Sequence, residues 1–205
     1  MFEGDEGRIR MVYSLAFSLP GTPVLFYGEE IGMAENLDIE GRLSVRSPMQ
    51  WSPDRHAGFS TVKDPAALCR PLPSANGFAP ERVNVALQRR EPDSLLNWIE
   101  RLIRRRNECP ELGWGSFRLL ETREPEVIAH RSDWNEGCIV AVHNLSSSQV
   151  ATSLPIEEGA ECEALVDLFS WDELRPEQDG ELPIELGPYG HRWFRMRRAG
   201  QRIAP

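Results

Sequence analysis

The chain has 205 residues, 40% apolar and 27% charged, which suits an ordinary globular protein with material for one or two cores. Its formal charge of −9 argues against a nucleic-acid or anionic-membrane partner, because both need a basic face. The four cysteines (Cys69, Cys109, Cys138, Cys162) contain no Cys-x-x-Cys pair, so neither a zinc site nor a disulfide framework is expected, and the expected setting is the cytoplasm.

The N-terminus, Met-Phe-Glu-Gly-Asp-Glu, is acidic where a secretion signal is basic. Residues 6–19 then carry Ile9, Val12, Tyr13, Ala16 and Phe17 at helical spacing, with Asp5 or Gly4 as cap and Pro20-Gly21 as stop. The apolar stretch Met11–Tyr27 is interrupted by Pro20, Gly21 and Pro23, so no membrane span is expected. Pro23-Val-Leu-Phe-Tyr27 is a continuous apolar run and predicts a strand buried on both faces, at Val24–Phe26. Helix, tight turn and buried strand make the rhythm of an α/β unit.

Periodicity disappears between residues 28 and 92. Loops beyond about 12–15 residues are usually functional or disordered. Gly41–Ser60, with its arginines, Trp51 and Phe59, reads as an ordered site loop, and residues 64–82 read as more mobile. His56 reads as a solvent-facing loop histidine. A second helix follows, with Asp93 or Ser94 as cap, Leu95, Ile99, Leu102 and Ile103 on one face, and an end at Cys109-Pro110. The arginine runs 104–106 and 195–198 read as solvated faces.

Beyond Pro110 the texture changes to short β-type runs: Phe117–Leu120, Val127–His130, Ile139–Val142, Gln149–Leu154, Ala164–Leu168, Leu182–Leu186 and Trp193–Met196. Such spacing predicts an antiparallel sandwich. The expected division is therefore 1–109, α/β and including the loop, and 110–205, all-β. His130, His143 and His191 read as structural, and Trp134, Trp171, Tyr189, Trp193 and Phe194 as sandwich core.

Two stretches carry more than a fold class. They are Gly21-Thr-Pro23-Val-Leu-Phe-Tyr27-Gly28-Glu29-Glu30-Ile-Gly32 and Gly41-Arg42-Leu-Ser-Val-Arg46-Ser-Pro48-Met49-Gln50-Trp51 with Gly58-Phe59. Together they resemble glycoside hydrolase family 13, the α-amylase superfamily, in the branch that holds trehalose synthases and oligo-1,6-glucosidases. Cys109-Pro110-Glu111-Leu112-Gly113-Trp114-Gly115, Val142-His143-Asn144-Leu145-Ser146 and Pro188-Tyr189-Gly190-His191-Arg192-Trp193-Phe194 look most like the trehalose synthases.

The resemblance implies the C-terminal part of a (β/α)8 barrel, with residues 24–26 as its eighth strand, followed by an antiparallel β-sandwich. It implies a retaining enzyme acting on an α-glucoside (maltose, trehalose or a malto-oligosaccharide), with Arg42, Arg46, Gln50 and Trp51 lining the sugar and Tyr27, Glu29 and Glu30 supporting the site. The arginines have a plainer reading too, holding the loop by pairing with Glu29, Glu30 or Asp38.

Retaining hydrolysis needs two carboxyl groups about 5–5.5 Å apart. Adjacent residues of a strand point to opposite faces, so Glu29 and Glu30 cannot both address one sugar unless the backbone leaves the strand there. The family's triad lies on the fourth, fifth and seventh strands, in motifs that have no match here, so no catalytic residue is expected. No cofactor or metal ligand set is expected either. Three explanations stay open: a reading frame starting at an internal methionine, a split gene whose product supplies the missing N-terminal barrel portion as a partner, and a fragment with its own role. A hydrolytic α-glucosidase and a non-catalytic sugar-binding module remain the alternatives.

Overall fold

A computed structural model describes residues 4–73, 77–156, 162–177 and 180–200. It separates into two compact units, Met1–Pro23 with Leu102–Pro205, and Val24–Arg101.

In the first unit, α1 (Glu6–Ser18) begins where the Asp5 carboxylate accepts from the Arg8 amide at 3.1 Å. That bond satisfies one of the helix's free N–H groups, so Asp5 rather than Gly4 is the cap. The helix stops before Pro20, as expected. Its last carbonyls are met by Arg106, which donates to Phe17 O and, at 3.3 Å, to Leu19 O. A cation there also complements the helix dipole. Arg106 is thus a cap for a helix distant in sequence, a correction to its reading as a solvated residue.

The remainder of this unit is β1 (Ser116–Leu120), β2 (Val127–Trp134), β3 (Gly137–Asn144), β4 (Val150–Pro155), β5 (Cys162–Asp167), β6 (Glu173–Leu174), β7 (Glu181–Leu186) and β8 (His191–Arg198). All seven predicted runs are strands; the two-residue β6 is additional. Six strands form one sheet in the order β1-β2-β3-β8-β5-β6, and β4 pairs with β7 in a second. Among the described residues these pairings are all antiparallel.

The period-2 alternation of strands decides the layers. Val140, Val142, Phe194, Met196 and Leu165 of the large sheet share a core with Leu154, Leu182, Ile184 and Leu186 of the small one. The opposite face of the large sheet carries His130, His143 and Trp193 and meets α1. Lying between these two layers, β3 is buried at seven consecutive residues, Cys138–Asn144. Trp193 and Phe194 are core, as expected, whereas Trp134 and Trp171 are partly exposed. Arg105 lies 5.0 Å over the Trp171 ring, and Arg195 and Arg197 pair with Glu111 and Glu173.

The second unit has little regular structure: short α2 (Val85–Gln88), the start of α3 (Leu95–Asn107), and one-turn 3-10 helices at Glu29–Ile31, Gly41–Leu43, Arg55–Gly58 and Pro65–Ala67. Ser94 is the observed cap of α3, its hydroxyl accepting from Asn97 N at 3.3 Å. Ile31, Met49 and Val85 make a small core. Gln88 ties it to the helix, donating to Ile31 O at 2.8 Å and accepting from Leu96 N at 3.0 Å. The last short helix, α4 (Glu111–Trp114), belongs to the first unit and precedes β1.

The predicted strand at Val24–Phe26 is not a strand here. Strand structure requires a neighbouring ladder, and the described residues of this unit contain no other strand to pair with it. Val24 is consequently 86% exposed.

Candidate functional site

The predicted site residues lie on the turn after Phe26 and on the loop 41–59. At Gly28 the backbone enters the left-handed region (φ 90), which glycine adopts without a Cβ penalty. It then winds into the single turn Glu29–Ile31 and leaves through Gly32, also left-handed at φ 70. The two acidic side chains fold back on this turn: Glu29 accepts from Phe26 N at 3.1 Å and Glu30 from Gly28 N at 2.7 Å. Both carboxylates therefore brace local backbone.

Tyr27 links the turn to the loop, its hydroxyl donating to Ser47 O at 2.9 Å. That anchor falls one residue after Arg46. Arg42 and Arg46 are both exposed. Among the described residues neither pairs with Glu29, Glu30 or Asp38, so the loop-holding reading of these arginines finds no ion pair.

Gln50 and Trp51 behave oppositely. Gln50 is fully buried, and its amide donates to Val83 O at 2.6 Å and Phe78 O at 3.0 Å. Its side chain, expected beside a sugar, is instead an internal brace joining residue 50 to the segment that precedes α2. Trp51 is 49% exposed, while its carbonyl accepts from Ala86 N at 3.0 Å. A half-exposed indole on a doubly fixed backbone is the kind of rigid apolar surface that covers one face of a ligand.

The loop closes through a turn that sequence reasoning missed. His56, Ala57 and Gly58 are consecutively left-handed, at φ 55, 58 and 67. For the two non-glycine residues this conformation costs on the order of 1–2 kcal/mol each. It points the Ala57 carbonyl back to accept from both Trp51 N at 2.9 Å and Ser52 N at 3.1 Å. It also buries His56, whose Nε2 lies 2.9 Å from Val62 O. The solvent-facing reading of His56 is therefore corrected: the side chain is a strut under the turn. The signal available was only Gly58, where a Cβ would come within 2.5 Å of Ser52 Oγ.

Among the described residues no group of three or more His, Cys, Asp or Glu is placed to hold a metal ion, and no helix is long and apolar enough to cross a membrane. What the arrangement offers chemically is binding: exposed guanidinium forks that can bond hydroxyls, a partly exposed indole, and a braced backbone beneath them.

The model of the α-amylase catalytic domain matches residues 2–115, and that of the maltogenic amylase C-terminal domain matches residues 117–193. The chain belongs to the α-amylase family, glycoside hydrolase family 13, and comprises part of its (β/α)8 catalytic domain followed by an antiparallel β domain.

Among curated proteins it is 34% identical over 204 residues to a trehalose synthase of Pimelobacter sp., covering 96% of this chain and 35% of that protein. To a trehalose synthase of Thermus thermophilus it is 35% identical over 197 residues, covering 95% of this chain and 20% of that one. The α-amylase of H. orenii superposes with a TM-score of 0.68 at 25% identity, over 94% of this chain and 36% of that structure. The trehalose-6-phosphate hydrolase of Bacillus licheniformis shares the fold, with a TM-score of 0.72 at 19% identity over 95% of this chain and 40% of that structure. This chain spans about a third or less of the length of these two curated relatives.

Proposed function

We propose that the chain forms the closing portion of the barrel and the β domain of a retaining α-glucoside-active enzyme, in which maltose and trehalose are interconverted by glucosyl transfer. The observation that carries this reading is the similarity to trehalose synthases across nearly the whole chain, including the loop that holds Arg42, Arg46 and Trp51.

In this reading the division of labour follows from which groups are free to act. Glycosyl transfer with retention uses a nucleophilic carboxylate and an acid/base carboxyl on opposite sides of the scissile bond. Glu29 and Glu30 are engaged with their own turn, so the reacting carboxylates come from barrel segments outside these 205 residues. This chain supplies a wall. Arg42 and Arg46 bond sugar hydroxyls, Trp51 covers a pyranose face, and Gln50, Tyr27, Glu29 and Glu30 fix the backbone that presents them. The domain boundary falls near Pro110, and the enzyme works in the cytoplasm.

The experiment is Arg46→Ala in an enzyme that joins this chain to the acidic barrel segments, assayed with maltose. Loss of one hydrogen bond from a charged donor, about 1.5–3 kcal/mol, predicts a fall in kcat/KM of roughly 10–100-fold. Unchanged turnover removes Arg46 from the site. The products separate this reading from a hydrolytic one, suggested by 27% identity to a probable oligo-1,6-glucosidase of Bacillus subtilis. Trehalose as product supports the transferase, and glucose alone supports the hydrolase.

A further inference from the structure

Three histidines that the sugar chemistry does not use form a stack under α1. His130 on β2, His143 on β3 and His191 on β8 lie with ring centroids 6.1 and 6.3 Å apart and interplanar angles of 13° and 18°. The first two side chains are fully buried. Each bonds a serine of α1: His143 Nε2 lies 3.0 Å from Ser14 Oγ, and His130 Nε2 lies 2.9 Å from Ser18 Oγ. We propose that this stack is an acid-sensitive clasp, which holds α1 on the six-stranded sheet while the rings are neutral and releases it when they are protonated.

The hydrogen-bond directions make the clasp depend on neutrality. Ser18 donates its hydroxyl proton to Leu15 O at 3.0 Å, so its oxygen is the acceptor and His130 donates from Nε2. Neutral His130 then carries a bare lone pair at Nδ1, an atom that is buried and without a partner. Protonation would put an N–H there with no acceptor, in addition to a buried charge. His143 Nδ1 is likewise buried and unpartnered, so the charged ring would hold an N–H there with no acceptor.

Charged groups around the stack do little to offset this. On α1, Arg10 pairs with Glu6 and disfavours a charge on His191. At the end of β5, Asp167 favours one, but Arg192 already holds that carboxylate at 2.6 Å. On α4, Glu111 is paired with Arg195 at 3.4 Å, and Asp133 of β2, paired with Arg131 at 2.7 Å, lies on the opposite face of the sheet from His130. β1 contributes the uncharged ring of Phe117, 5.2 Å from His130.

Burial lowers the His130 pKa from 6.5 to about 4. His143 is held well below its ordinary value by burial and then by its two histidine neighbours. The docked state therefore refuses protons that the undocked state binds. Docking is at full strength above about pH 6.5 and weakens as the pH falls toward 4. For His130 alone, the linkage raises the opening equilibrium roughly 30-fold at pH 5.

Amide hydrogen exchange on the 205-residue chain tests this, comparing pH 7.5 with pH 5.0 after correction for intrinsic rates. The expected result is at least a 30-fold loss of protection across Met11–Ser18, with β3 and β8 losing much less. Equal protection of α1 at both pH values overturns the proposal, and so does simultaneous loss from α1 and the strands. In the His130→Gln/His143→Gln variant the helix dependence should shrink at least tenfold; full retention counts against the clasp. If that variant does not fold, imidazole NMR titration of the unmodified chain decides. Both rings should stay neutral to pH 5.5 while α1 is protected, and ordinary titration near pH 6.5 with α1 still docked refutes it.

Discussion

Replacing Ser14 by alanine tests how α1 is fastened. Ser14 Oγ accepts from Trp193 Nε1 at 3.0 Å and bonds His143 Nε2 at 3.0 Å, and the serine, the tryptophan and the histidine are all fully buried. Removing one oxygen therefore strands two buried polar groups, each at a cost of about 1–3 kcal/mol, so Ser14→Ala should lose about 2–6 kcal/mol. Ser18→Ala strands only His130 and should lose about 1–3 kcal/mol. The assay is denaturant unfolding of the first unit followed by tryptophan fluorescence, in the chain and both variants. A Ser14→Ala loss below about 0.5 kcal/mol, or one smaller than that of Ser18→Ala, would refute the assignment of this network as the attachment of α1.

Two further substitutions probe geometry. A Cβ at Gly115 would lie 2.4 Å from Glu111 O and 2.8 Å from Asp133 O, both backbone atoms, whereas one at Gly113 meets nothing within 4 Å. Gly115→Ala should then cost about 1–3 kcal/mol, and Gly113→Ala should be neutral or stabilising by up to about 1 kcal/mol; thermal melts of the pair compare them directly. Gln50→Leu takes the donor from two carbonyls while removing an Oε1 that has no partner. The net loss, about 1–3 kcal/mol, should appear as faster hydrogen exchange at Val85 and Ala86, whose amides bond the carbonyls of residues 50 and 51.

How far the sequence could be read depends on the range of the forces involved. The strands of the β domain were legible because alternation and turn residues are local signals, as in Leu182, Ile184 and Leu186. Each predicted helix start was narrowed for the same reason to two adjacent candidates, of which the structure takes Asp5 and Ser94. The run Val24–Phe26 misled because a strand is defined by its partners, and apolar composition alone does not provide one. The burial of Gln50 follows from carbonyls at residues 78 and 83 that spacing cannot reveal. His56 was misplaced because one unusual turn inverts its side chain. Arg106 and the histidine stack join residues 85 or more and 112 or more apart through helix placement and strand register. Such pairings are set by the assembled sheet, and no local pattern announces them.

The most direct test is to incubate the purified 205-residue protein with maltose and look for trehalose and glucose. If, as proposed, the bond-breaking acids come from other barrel segments and this chain supplies only a wall, no conversion above the uncatalysed background is predicted. Turnover at an enzymatic rate by this chain alone would contradict that division.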